Sequence, residues 1–300
     1  MRGLALVLTA LWIAAAPASA HPRCFGAAAR DPEVPCANPA QDRTVTPGPD
    51  AALLQPLAPC TIVQRRAPEV CAFGPRRHTP TVALIGDSHA QHWTAALTAY
   101  GRAAGWRGVT LYRSRCPFSF ARKVDHPCRF WVDRDVRYLS QHPAIHTVFV
   151  SSDVRSAVDA TPALGRETKI AGYIAAWRAL PATVTEIYVL RDPPNVTLRT
   201  RGCVKRVLRH GGTPGLACAN PRADVLLEDP AVAAALRLAS PRVRIVDLSP
   251  FMCNADSCFP VVGGVLVTKD IGHLTRTFSA TLGPYVQRAV TRLRTAYALR

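Results

Sequence analysis

Lysine is scarce in this chain of 300 residues, so the formal charge of +17 comes almost wholly from arginine. The arginines are scattered along the chain and form no basic helix, finger or patch interleaved with aromatics, which excludes the usual designs for holding nucleic acid. No CxxC repeat of the kind that builds structural zinc sites is present, and no metal is expected. No internal repeat is present either, which speaks against a solenoid or a propeller. No apolar stretch beyond residue 20 approaches the roughly 20 residues that a membrane span requires.

What is present begins with a leader. Arg2 is followed by LALVLTALWIAAA and then PASA, with Ala18 and Ala20 as the small residues before a cleavage point. Residues 1–20 read as a secretory signal peptide, so the mature chain is expected in the cell envelope or secreted. Cys24 follows AHPR and not an apolar small-residue box, which argues against a lipid-modified cysteine. Ten cysteines in an exported chain point to an oxidising compartment. Nearest-neighbour pairing would join Cys24 to Cys36, Cys60 to Cys71, Cys116 to Cys128, Cys203 to Cys218 and Cys253 to Cys258, although ten cysteines allow many connectivities. A basic exported protein is drawn to polyanions such as acidic polysaccharide or an anionic membrane face, while the scatter of arginines fits a solvated surface.

Texture divides the chain. Residues 21–78 are rich in Pro, Ala and Arg with little periodic pattern, and read as an irregular, disulfide-tied segment. From residue 79 to 300, short β-branched runs (TVALIG, GVTLYR, HTVFVS, VTEIYVL, VRIVDL) alternate with segments of helical spacing such as AQHWTAALTAYGRAAG and FSATLGPYVQRAVTRLRTAYA. Five strands alternating with helices call for a parallel sheet with helices on both faces. Such sheets bind and react at the carboxyl ends of their strands.

Two motifs fall at that edge. Ser88 lies just past the first of these strands, in VALIGDSHAQHW, where it suits either a helix N-cap or an exposed nucleophile with first-turn amides beside it. Asp270 and His273, in VTKDIGHLTRTF, stand three apart before the last helix and can share one side of a turn. His273 then suits a general base toward Ser88, with Asp270 fixing its tautomer. Around them, His89 and His92 form an HxxH expected to line a substrate groove, since no third metal ligand is visible, and Trp93 is close enough to be a substrate contact, though core packing suits it as well. Trp131 and Trp177 read as core. Asp87 reads as a brace for the turn, and Asn195-Val-Thr197 matches a glycosylation sequon.

GDSH after the first strand together with DIGHLT before the last helix resembles the SGNH (also called GDSL) hydrolase superfamily, whose nucleophile lies in the first motif and whose Asp and His lie in the last. The chain resembles more closely the SGNH domain fused to membrane acyltransferases that O-acylate surface polysaccharides. It does so in GDSHAQHW, in the RCPF to CRFW stretch at 115–131, in YVLRDPPNV with Cys203 following, and in DLSPFMCNADSCFPVVGGVLVTKDIGHLT. The resemblance implies a flavodoxin-like α/β/α sandwich of three layers with a five-stranded parallel sheet, a serine ester intermediate, and action on acyl esters, often acetyl groups on carbohydrate. It implies Ser88 as nucleophile and, through its amide, oxyanion donor, His273 as base and Asp270 as its orienter, with no cofactor.

The chain departs from the superfamily pattern in two places. Its third strand ends VSSDVRS without the Asn that usually follows a Gly there, and LYRSRCPF lacks the usual Gly of the second motif. Ser152 and Arg155 are candidates for the missing oxyanion donors. The expected function is a monomeric acyl-ester hydrolase or O-acyltransferase whose partner is an acylated glycan or small acyl ester. A transferase would need a separate membrane acyltransferase to supply the acyl donor. The alternative is a basic glycan-binding module with a degenerate site.

Overall fold

Runs of β-branched and aliphatic residues build a seven-stranded sheet in a computed structural model that describes residues 22–34, 36–57, 61–66, 68–76 and 78–298. The expected leader lies outside the described residues. The strands are β1 (Thr61–Gln64), β2 (Val70–Phe73), β3 (Pro80–Gly86), β4 (Arg107–Tyr112), β5 (Thr147–Ser151), β6 (Glu186–Leu190) and, after a two-residue ribbon β7 (Asn220–Pro221) that stays outside this sheet, β8 (Val243–Val246). Their order is β1-β2-β4-β3-β5-β6-β8. The five strands from β4 to β8 are mutually parallel, and they are those expected from the sequence. β5 is buried at every position, as a strand covered on both faces must be.

The sheet corrects the expectation of five strands. β1 and β2 come from the segment read as irregular and add an antiparallel ribbon beside β4, with Val70 opposite Leu111 and Phe73 opposite Gly108. All four β2 residues are buried, and the ribbon covers an edge that β4 would otherwise leave open to pairing. The same segment forms a 3-10 helix at Gly26–Arg30 and a short α-helix at Pro49–Leu54.

Helices cover both faces. On one, Thr94–Ala104 and Arg276–Ala298 pack against Leu84, Phe149 and Tyr188 through Leu97, Phe278 and Val286. On the other, Pro127–Gln141, Pro162–Ala179 and Pro230–Leu238 pack against Ile85, Val148 and Ile187 through Trp131, Trp177 and Ala234. Each fully buried aliphatic or aromatic side chain of this kind stabilises the fold by about 1.5–3 kcal/mol. Three helices of the second face begin with Pro at the first position, where its missing N–H is not needed. Among the described residues no helix is long and apolar enough to cross a membrane.

Four of the nearest-neighbour disulfides are present: Cys24–Cys36, Cys116–Cys128, Cys203–Cys218 and Cys253–Cys258. Cys60, of the fifth expected pair, lies outside the described residues.

What positions the site is the reversal of strand order at β3, with β4 on one side and β5, β6 and β8 on the other. A crevice opens there at the strands' carboxyl ends. Gly86 closes β3 with φ +150°, and a Cβ on it would lie 1.9 Å from the Ser151 carbonyl oxygen of β5. Only glycine allows the two strands to end this close together just ahead of Ser88.

Candidate active site

Asp87, not Ser88, is the N-cap of the short helix Ser88–Gln91. Its buried carboxylate accepts from the His89 amide at 2.8 Å, from the Asp153 amide at 3.1 Å and from the Ser156 hydroxyl at 3.1 Å, tying the end of β3 to the loop after β5. Ser88 is thereby moved to the first helical position. Its backbone N–H is one of the amides that a helix start leaves free, and its hydroxyl is open to the crevice.

The partner of that hydroxyl arrives from residues 267–275. Thr275 donates through its amide to the Val267 carbonyl at 2.8 Å and through its hydroxyl to the Leu266 carbonyl at 2.6 Å, closing the loop at its base. Its hydroxyl also accepts from the Phe278 amide at 3.0 Å, which starts the C-terminal helix. At the loop's tip, Asp270 accepts from the Gly272 and His273 amides at 3.1 and 2.9 Å. His273 Nδ1 lies 2.8 Å from Asp270 Oδ2, and His273 Nε2 lies 2.8 Å from Ser88 Oγ. Burial pushes the Asp270 carboxyl up, but hydrogen bonds from the His273 ring and amide, the His273 charge and the Gly272 amide outweigh it and bring it down to about 2. Asp270 is therefore an anion at any ordinary pH, which sets Nδ1 as the protonated nitrogen and leaves Nε2 free to take the serine proton.

The other histidines do not line a groove. His89, His92 and Trp93 are each 1% exposed, which corrects the expectation that they contact substrate. His89 Nδ1 lies 2.6 Å from Asp192 Oδ1, and its Nε2 lies 3.7 Å from Asp153 Oδ2. Burial pulls the His89 ring down, but the charge and hydrogen bond of Asp192, with Asp87 and Asp153 behind it, lift it to about 9. It is a buried imidazolium whose ring centroid is 4.8 Å from that of His273. His92 is the opposite: burial, then the charges of His89 and His273, push it well below its usual value, so it is a neutral ring beneath the site. Trp93 packs in the core of the Thr94–Ala104 face.

Of the candidate oxyanion donors, Ser152 is buried and its side chain is hydrogen-bonded to Tyr173. Arg155 is gripped by Asp153 through Nε and Nη2, at 3.0 and 3.1 Å, and reaches the catalytic loop. A Cβ on Gly272 would lie 2.7 Å from Asn195 Oδ1, 2.9 Å from His89 Cε1 and 3.1 Å from Arg155 Nη2. Three side chains from three strand ends thus converge on the backbone beside His273.

A family model described as the SGNH domain (fused to AT3 domains) matches residues 59–288. The chain belongs to this SGNH family. The matched span takes in β1 and β2 as well as the parallel strands. Among solved structures, the periplasmic domain of a lipopolysaccharide acetyltransferase of Salmonella ser. Paratyphi A is similar, with a TM-score of 0.56 and 14% identity over 72% of this chain and 85% of that one. At that identity the likeness is one of fold. No curated protein matches the sequence.

Sequence reasoning missed four residues of this SGNH domain's site. Asp153 and Asp192 follow β5 and β6 and hold His89, and Gly272 and Asn195 meet beside His273. The sequence signal for the carboxylates was their place just after predicted strands. Asn195, read only as part of a sequon, is 7% exposed with an unpartnered Oδ1. The donor atoms of His89, Asp153 and Asp192 lie within 4.8 Å of one another, and as arranged His89 pairs with Asp192 while Asp153 pairs with Arg155.

Proposed function

We propose that this protein is an exported serine acyl-ester enzyme that removes or transfers a short acyl group, acetyl foremost, on a glycan of the cell envelope. The observation that carries the reading is the chain of contacts from Ser88 Oγ through His273 to Asp270, held on an SGNH fold. In the proposed reaction, Ser88 Oγ attacks the acyl carbonyl as His273 Nε2 takes its proton. The tetrahedral oxyanion is met by the Ser88 amide and by Arg155, whose guanidinium lies against Gly272. His273 then returns the proton to the departing alcohol, leaving an acyl-serine that water or a sugar hydroxyl resolves. The disulfides support an extracytoplasmic setting. As a transferase, the protein would take its acyl donor from a separate membrane partner; as an esterase, it would act alone as a monomer.

A serine-reactive fluorophosphonate tests the reading against a glycan-binding module with a degenerate site. Labelling of the mature protein that disappears in Ser88→Ala is the expected result. Absence of labelling under conditions that mark a control esterase would overturn it. Analysis of envelope O-acylation in a deletion strain then separates the two activities, since a rise marks an esterase and a loss a transferase.

A further inference from the structure

A groove of about 1040 Å³ lies over the helices Thr94–Ala104 and Arg276–Ala298, bounded on its other side by residues 22–25 and by Ala72 and Phe73 of β2. Its lining combines small side chains such as Ala95 and Thr277 with Phe25, Phe73 and Tyr285, and the exposed Arg23, Arg76, Arg102 and Arg276 border it. A second hollow of about 360 Å³ shares Arg76 with it and adds Arg107. No Asp or Glu lines either one. None of these five arginines is ion-paired among the described residues, whereas further along the same C-terminal helix Arg288, Arg292 and Arg294 are paired with Asp31, Glu33 and Glu186. The rim is thus uncompensated positive charge around a trough, an arrangement that concentrates the field on whatever enters.

One end of the groove lies on the site's side of the sheet, since Arg276 is the first residue of its helix, three beyond His273. Arg102 is about two helical turns down from Ala95. Arg76 precedes β3 and Arg107 begins β4, which places the other end at the opposite edge of the sheet.

We propose that this groove binds an anionic glycan chain, its carboxylates or phosphodiesters paired with the arginine rim, and directs it toward Ser88. The proposal rests on the reading of Ser88 as a glycan-directed nucleophile. Guanidinium groups match both anions in a two-pronged geometry. A bilayer face is flat and cannot enter a trough, so a flexible chain of sugars fits where a membrane surface does not.

The test uses the full mature chain carrying Ser88→Ala, which abolishes turnover and leaves the groove intact. Polygalacturonate, a polyglycerol phosphate, neutral dextran and phosphatidylglycerol vesicles are titrated by calorimetry at low and high salt. At least one of the two anionic polymers binds, more weakly at high salt, and dextran does not. Arg102→Gln/Arg276→Gln lowers the affinity by about tenfold or more, while Arg134→Gln/Arg178→Gln, which removes equal charge from the opposite face, leaves it unchanged. Circular dichroism checks that both variants are folded. Failure of both anionic polymers to bind, equal loss in the two double variants, or binding of vesicles alone would overturn the proposal. Fluorophosphonate labelling of the wild-type protein reports Ser88 independently, so failure of the groove and failure of the nucleophile are separate results.

Discussion

Replacing Asp192 with asparagine removes the charge that keeps His89 protonated, while preserving side-chain volume and an oxygen to accept from Nδ1. The folded ring titrates at about 9, against ~6.5 in an unfolded chain. Because the folded value is the higher, the stabilisation is present in full below the unfolded value and is lost as pH rises through the folded one. At ~1.4 kcal/mol per unit, the ring contributes about 3 kcal/mol below pH ~6.5, about 1 kcal/mol near pH ~8 and little above pH ~9. In Asp192→Asn the charges of Asp87 and of Asp153, the latter 3.7 Å away, are left to oppose burial, and the ring titrates lower. The variant's deficit is therefore expected to be larger at pH ~6 than at pH ~9 by up to about 3 kcal/mol, on top of a pH-independent loss because the Val154 amide loses its acceptor. Urea unfolding at several pH values with the disulfides intact measures this directly. A deficit equal at both ends of the range would refute the assignment of His89 as a buried imidazolium.

Asp270→Asn leaves the fold intact and lowers turnover of p-nitrophenyl acetate by about 10³–10⁴-fold, since the neutral amide no longer sets the tautomer of His273; a loss below about tenfold would remove Asp270 from the mechanism. Gly272→Ala places a methyl 2.7 Å from Asn195 Oδ1 and 2.9 Å from His89 Cε1, two groups held in the interior, so the loop and His273 must give way. Its expected effect is a drop in kcat of about 10²-fold, measured on the same ester, and an unchanged kcat would show that the loop is not tightly seated.

Much of the domain could be read from residue order because its signals are local. The five parallel strands are runs of β-branched residues bounded by helical spacing, and the segment 270–273 carries its own hydrogen bonds in sequence order. Other features depend on partners far along the chain. His89 and His92 look like groove-lining residues until Asp192, 103 residues away in sequence, turns the first into a buried ion. The β1–β2 ribbon escaped notice because TIVQ and VCAF are four-residue runs among prolines and arginines, and only β4 gives the second its register. Serine caps helices well, yet here Asp87 takes the cap because its carboxylate also reaches across to the loop after β5.

The contact between Ser88 and His273 spans 185 residues of sequence. A chain interrupted anywhere between them has a hydroxyl without a base, or a base with nothing to deprotonate. The pair therefore forms only when the final helix, which begins three residues beyond His273, has packed on the sheet that carries Ser88.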